Sequence, residues 1–414
     1  MPVVSTLRPH GPVRAAHLLF FLASLAAAQD FTQRGFFETG AFFYPQTAPG
    51  DSAHAVAGEL FRYEPAYKTH SGFTFAASFD ARTDTHREVD RAPHLSLWDR
   101  ETARPAFAIR RLSLTYRRGR LTVELGKQLI RWGKADLLNP TDVFSPRDYL
   151  NVLDTDYLGV TAAHLTYGDQ ANTVELVFTP RFTPSRIPLL DQRWAPIPPP
   201  LQLVDLGAQD PGGPQYGVRW NHIGRVLEYS ASFFDGFNNL PILQAALLAP
   251  LTYGLQRVYP KTRTYGADAA VPLRWFTGKA EAAYFTSPDP RADEYLLYVV
   301  QLERQSGEWS FTGGYAGQAV TDHRALLEFA PDRGLTRAFL GRAGYTIDAN
   351  RSVALEAAVR QNGDGTWLRL EYSQAFGQHW RATPALTWIR GAPSDFLGQY
   401  RLNSNFSLAL RYSF

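Results

Sequence analysis

The sequence predicts an all-β fold: a transmembrane, antiparallel, up-and-down β-barrel of about 18 strands, with about 16 as the close alternative. Three observations point there. Apolar and polar residues alternate with a period of two along much of the chain, as in SNFSLALRYSF at 404–414, which describes strands with one greasy and one wet face. The connections between these strands are short and long by turns, the asymmetry of a barrel with short periplasmic turns and long external loops. Composition agrees, since 14% of residues are aromatic while 20% are charged, as suits a wall that is apolar on one side only.

The elements follow in chain order. Residues 1–28 hold Arg8 and Arg14, then AAHLLFFLASLAAA. This basic n-region, short apolar h-region and small-residue end predict a secretory signal cleaved between Ala28 and Gln29, with a single barrel domain over 29–414. The apolar run is too short to span a bilayer as a helix, and LPILQAALLAPL (240–251) is interrupted by Gln and bounded by Pro. Without the leader, 40 basic side chains face 39 acidic ones, so there is no polyanion-binding footprint and no nucleic-acid partner is expected. The chain has no Cys and one Met, which excludes disulfide staples and asks stability of a large hydrogen-bonded structure.

Strand pattern begins near Phe31. Phe73, Phe75, Ala77 and Phe79 share one face, and Thr74, Ser78, Asp80 and Arg82 the other. Leu112, Leu114 and Tyr116 alternate with Arg111, Ser113, Thr115 and Arg117, and Leu121, Val123 and Leu125 with Thr122 and Glu124. The same period recurs at 172–181, 225–234, 278–285, 294–305, 308–318, 335–347, 352–361 and 366–375. Hairpin turns lie between paired runs, as at Arg118-Gly119 and Ile223-Gly224. Residues 84–104, 132–156, 181–214, 236–257, 319–334 and 389–399 are irregular. Nine Pro fall within 180–214, so that segment cannot be a wall strand. From Tyr400 onward the even positions are apolar or aromatic except Ser404, which predicts a last strand from there to Phe414 with its even face on outer-membrane lipid. A terminal alternating strand ending in Phe resembles the signal through which barrel-assembly machinery recognises such chains.

Function belongs to the inward face, where the opposite parity places Arg111, Arg117, Glu124, Gln128, Glu175, Arg181, Glu228, Glu281, Gln301, Glu303, Arg342, Glu356, Arg360, Arg369, Glu371, Arg381, Arg401, Asn403, Asn405 and Arg411. Of 42 basic residues only five are Lys, and Arg suits bidentate contact with carboxylates and phosphates. Arg342, Arg360, Arg369, Arg381, Arg401 and Arg411 outnumber the acids of the C-terminal third, so a basic wall favouring small polar, anionic solutes is expected. Cross-strand pairing of Arg with Glu is the competing expectation.

A strand runs into a long loop at GKQLIRWGKADLLNPTDVFSPRDYLNVLDTD (126–156), where Asn139-Pro140 and Ser145-Pro146 forbid regular structure. Arg131, Trp132, Asp136, Asn139, Asp142, Arg147 and Asp148 are the candidate residues of a pore-narrowing loop. The run RWGKADLLNPTDVFSPRD resembles one in a family of porin-like proteobacterial outer-membrane barrels, and this resemblance implies a porin-like fold and no substrate. Asp136, Asp142, Asp148 and Asp154 recur every six residues, with Asp156 after them. Their spacing matches no EF-hand or repeat-type calcium loop, so Arg-paired or solvated acids are expected and no metal or cofactor. No G-x-S-x-G, H-E-x-x-H or H-x-x-E-H occurs, and the scattered His residues specify no catalytic set. The sequence thus favours an outer-membrane diffusion channel. A non-enzymatic scaffold or export partner in an envelope assembly shares the same wall, and an outer-membrane hydrolase is the lesser alternative.

Overall fold

The computed structural model describes residues 30–414, so the expected leader and its cleavage site lie outside the described residues. Eighteen wall strands follow in chain order: β1 Phe31–Phe43, β2 Ala55–Lys68, β3 Phe73–Asp84, β4 Phe107–Arg118, β5 Leu121–Gln128, β6 Val160–Gly168, β7 Asn172–Thr179, β8 Gln215–Ile223, β9 Glu228–Phe237, β10 Lys261–Pro272, β11 Thr277–Thr286, β12 Glu294–Ser306, β13 Trp309–Asp322, β14 Ala338–Asp348, β15 Arg351–Arg360, β16 Gly365–Phe376, β17 Trp380–Gly391 and β18 Asn405–Ser413. Each pairs antiparallel with the next, and β18 pairs antiparallel with β1. The wall therefore has no open edge. In hydrocarbon no water can satisfy an unpaired backbone group, so only a closed sheet of this kind can span.

The short connections are 69–72, 119–120, 169–171, 224–227, 273–276, 307–308, 349–350 and 377–379, all on one rim. In two of the tightest, Gly119 and Gly307 each sit at φ 57°, the left-handed backbone that glycine adopts without strain and that favoured two-residue hairpin turns use. The other rim carries 44–54, 85–106, 129–159, 180–214, 238–260, 287–293, 323–337, 361–364 and 392–404. Two of these, 287–293 and 361–364, are themselves brief, so the alternation of lengths is less strict than the sequence suggests.

Side-chain parity follows the pleat. In β18, Phe406, Leu408 and Leu410 are exposed on the outer face, while Asn405 and Ser407 are 7% exposed on the inner one. Tyr167, Leu176, Val300, Phe339, Leu370 and Leu386 extend the same outward apolar band around the barrel. Near the short-turn rim aromatic pairs form a girdle: the rings of Trp309 and Tyr345 are 4.7 Å apart, and those of Trp380 and Tyr412 5.1 Å. An apolar belt edged by aromatics on an edgeless wall is a membrane-spanning surface. At the seam Gly35 and Phe414 exchange two backbone hydrogen bonds of 3.0 Å, and Arg411 lies 2.6 Å from Glu38. A Cβ at position 35 would meet the Phe414 ring at 2.6 Å, so glycine lets that ring lie against the first strand.

The structure corrects three expectations. The last strand starts at Asn405; residues 398–403 form a 3-10 turn, because Leu397 and Tyr400 bury themselves with Ile389, Phe396 and Trp194 instead of facing lipid. Arg401 and Asn403 are therefore not wall residues. Arg181 lies beyond the end of β7, with its guanidinium 4.4 Å from the Trp98 ring centre. Segments read as irregular carry a small separate sheet of strands 202–209, 242–249 and 252–258. No described helix is long and apolar enough to cross a membrane.

The parity makes a testable contrast on β18. Leu408→Arg should cost about 2–4 kcal/mol by placing charge in the apolar belt. Ala409→Arg faces inward opposite Gly40, where a side chain would meet open space, and should fold normally. Heat-modifiable migration on gels measures both; equal damage would contradict the assignment of faces.

Candidate functional site

Loop 129–159 leaves the long-loop rim and turns into the barrel. Its backbone donors find acceptors on the inner wall, as buried donors must. Glu281, in mid-β11 and 2% exposed, accepts from the amides of Lys134 (2.9 Å), Ala135 (3.0 Å) and Thr141 (2.9 Å), and from the Thr141 hydroxyl (2.8 Å). Gln301 of β12 accepts from the Asp136 amide at 2.9 Å. Within the loop Asp142 caps the Trp132 and Gly133 amides at 2.7 Å, and Asn139 donates to the Ala135 carbonyl. Both anchors sit halfway along their strands, so the loop crosses the lumen at mid-depth.

Packing holds it there. Trp132 meets Phe144 edge-on at 5.2 Å, and Phe144 meets Phe234 of β9 at 4.9 Å. A Cβ on Gly217 of β8 would stand 2.5 Å from Phe144 and 2.7 Å from Trp132, so only a glycine admits this aromatic pair against the wall. On the far side Ala135 and Leu138 pack on Leu297 and Val299 of β12, Ala316, Leu340 and Ala358. In β12 the inward Leu297 and Val299 are as apolar as the outward Leu296 and Val300. That doubly apolar stretch was the signal in the sequence that something covers the inner face.

The loop aspartates fan out to separate partners. Asp136 lies 2.9 Å from Lys279 of β11, Asp154 3.3 Å from Arg369 of β16, and Asp156 2.8 Å from Arg110 of β4. Asp142 faces Arg131 at 3.4 Å, and Asp148 takes Arg104 at 2.8 Å. Arg131 and Arg147 both stack on the Tyr157 ring, at 4.5 and 4.8 Å. Asp136, Asp154 and Arg131 keep about half their side-chain surface open, as does Arg342 on the facing wall. The loop thus leaves a charged, solvent-reached rim beside it.

Among the wall residues singled out from sequence, Arg111 pairs with Glu124 (2.9 Å), Arg342 with Glu356 (3.3 Å), and Arg369 with Glu371 (3.4 Å) as well as Asp154. Glu175 pairs with His164 at 2.9 Å. Arg360 is drawn out of the lumen to Asp395 (2.9 Å) and to the Gly334 and Thr336 carbonyls of the loop 323–337. Arg381 donates to the Ser373 hydroxyl at 2.6 Å. Arg117 and Arg381 have no carboxylate partner among the described residues. The six arginines therefore form no continuous ladder, since four are matched by acids and Arg401 lies in the 3-10 turn.

Sequence reasoning missed a buried network on the other wall. Arg62 and Arg82 clasp Asp80 at 2.6 and 2.7 Å. Above them Arg104, Asp148, Arg186 and Asp99 link loops 85–106, 129–159 and 180–214, with Lys127 of β5 joining at Asp99. Asp80 and Arg82 were visible in the alternation of β3; the loop members had no periodic signal. Burial pushes the Asp148 carboxyl up, but Arg104 and Arg186 more than offset this and hold it well below the usual carboxylate range. Its stabilising effect is therefore present above the unfolded value of about 3.9 and is lost only as pH falls below that toward the lower folded value.

The chain matches no protein-family model and no curated protein. Among solved structures it is similar to OccAB4 of Acinetobacter baumannii (10% identity, 94% of this chain and 99% of that one, TM-score 0.54). It is similar also to a BenF-like porin from Pseudomonas fluorescens Pf-5 (9%, 93% and 98%, TM-score 0.55) and to the outer membrane protein opdK from Pseudomonas aeruginosa (9%, 93% and 99%, TM-score 0.54). At such identities the likeness establishes a shared porin-like barrel fold.

Glu281→Ala should release the loop, because it leaves three backbone amides without acceptors at about 1–3 kcal/mol each. Limited proteolysis of the folded barrel should then cut within 129–159 while the wall stays resistant. A loop as protected as in the parent would show that Glu281 is not its anchor.

Proposed function

We propose that this chain is a porin-like channel of a bacterial outer membrane, made after removal of a leader over residues 1–28, through which small polar solutes diffuse. The observation that carries this reading is the loop 129–159, pinned across the lumen with its charged edge still open to solvent. A barrel of 18 strands is too wide for side chains to fill, and a loop tied to the inner wall narrows such a lumen to molecular size. A folded plug would bury its charges, whereas Asp136 and Arg342 remain 56% and 57% open. The membrane face and the porin-like fold support the same location.

A mild preference for anions completes the reading. Most lumen arginines are neutralised by neighbouring acids, so the preference rests on Arg117 and Arg381 near the short-turn mouth, where no carboxylate offsets the guanidinium. The expected outcome in planar bilayers is stable conductance with an anion-to-cation permeability ratio modestly above one. The double variant Arg117→Gln/Arg381→Gln should lower that ratio toward one. A cation-selective parent would overturn the anion preference alone. A barrel silent in bilayers, and still silent after loops 129–159 and 180–214 are shortened, would overturn the channel and favour a scaffold in an envelope assembly.

A further inference from the structure

Two cavities flank the lumen loop, of about 280 Å³ toward β13–β16 and about 80 Å³ toward β9–β12, and Arg147, Tyr149 and Asp332 line both. Arg147 belongs to the lumen loop; Asp332 belongs to loop 323–337 and stands in its single helical turn, Pro331–Gly334. Neither charge has an ion-pair partner among the described residues, although almost every other charge around the lumen loop does. The Arg147 guanidinium stacks on Tyr157 and makes no side-chain hydrogen bond among the described residues. Asp332 receives only the Tyr149 hydroxyl, at 3.4 Å to each oxygen. A guanidinium and a carboxylate thus face one space without closing on each other.

The larger cavity is also lined by Asp136, Arg342 and Glu356, but these charges are already paired, Asp136 with Lys279 and Arg342 with Glu356, and the rest of the lining is mainly apolar. Leu137, Leu153, Leu335, Leu340 and Trp367 line it, and the buried Trp367 indole N–H has no partner. Its volume is several times the roughly 30 Å³ that one water occupies in the liquid, so it can admit a small solute. We infer that this is a subsite for a small zwitterion with an apolar body, of the kind an aliphatic α-amino acid presents. The solute carboxylate takes the planar fork of Arg147, its ammonium takes Asp332, and its side chain lies on the leucines and Trp367. A plain anion would meet Asp332 with like charge, and a plain cation would meet Arg147. The inference rests on the channel reading, since the solute must enter the lumen to reach the site.

Calorimetry of the refolded full barrel in detergent tests it with three matched probes at neutral pH: leucine, 4-methylpentanoate, which lacks the amine, and 3-methylbutylamine, which lacks the carboxylate. Leucine should bind about tenfold or more tightly than either analogue, since each loses one charged hydrogen bond. Arg147→Gln should reduce leucine to the level of the amine, Arg147→Lys should recover part of the loss, and Asp332→Asn should reduce it to the level of the acid. If Arg147→Gln fails to show heat-modifiable folding, the lysine and asparagine variants decide. Equal binding of leucine and 4-methylpentanoate, unmoved by Asp332→Asn, would overturn the zwitterion site, as would no binding by a folded, conducting barrel. A barrel that binds leucine in this pattern yet passes no current would retain the site and sink the channel.

Discussion

The demand that every backbone N–H and C=O find a partner governs this structure at two levels. In the wall it forces closure, met where β18 returns to β1 and where Gly35 and Phe414 exchange their last two hydrogen bonds. Inside, it sets the terms on which a loop can occupy the lumen. Loop 129–159 has neither helix nor ladder for most of its length, so the inner wall supplies acceptors in their place. Glu281 and Gln301 are among the most deeply buried polar side chains of the barrel for this reason. A buried carboxylate is costly unless it is hydrogen-bonded, and four donors from one loop meet that condition at Glu281.

The same logic arranges the charges. Basic groups of the wall meet aspartates of the loop, so that Asp136, Asp154 and Asp156 tie it to Lys279 of β11, Arg369 of β16 and Arg110 of β4 in three directions. These contacts span elements far apart in sequence and hold the loop against the inner wall at several points. On the outer side of the loop, Asp148 and Asp99 join it to two further loops through Arg104 and Arg186. The lumen is consequently polar without being strongly of one sign. On the proposed channel reading, solute choice would then depend on local unpaired groups more than on net charge.

The wall was legible in the sequence because a period of two is a local property, repeated strand after strand. Parity follows from it directly, and it bounds the strand number to about 18 with about 16 the close alternative. It misled at Tyr400–Asn403, where apolar alternation coincides with residues that bury themselves in a 3-10 turn beside Trp194. The site was half legible. Pro and Asp marked 126–156 as a structured loop, but its depth depends on Glu281, more than a hundred residues away, and no local pattern announces that contact. The expected basic wall failed for a related reason: parity gives the face a residue occupies but not the acid it meets. Arg360 and Asp395, or Arg369 and Asp154, come together only through tertiary structure. The doubly apolar run in β12 is the one local trace of the loop that covers it.

The central claim is a water-filled path past loop 129–159, and cysteine accessibility during single-channel recording tests it most directly. The chain has no cysteine, so single substitutions report without background. Arg369→Cys faces Asp154 across the rim, and Leu370→Cys points outward into the apolar belt at 46% exposure. A charged, membrane-impermeant thiol reagent should step the current down in Arg369→Cys and leave Leu370→Cys unchanged. Modification of neither, or equal block of both, in barrels that conduct would contradict a lumen path beside the loop.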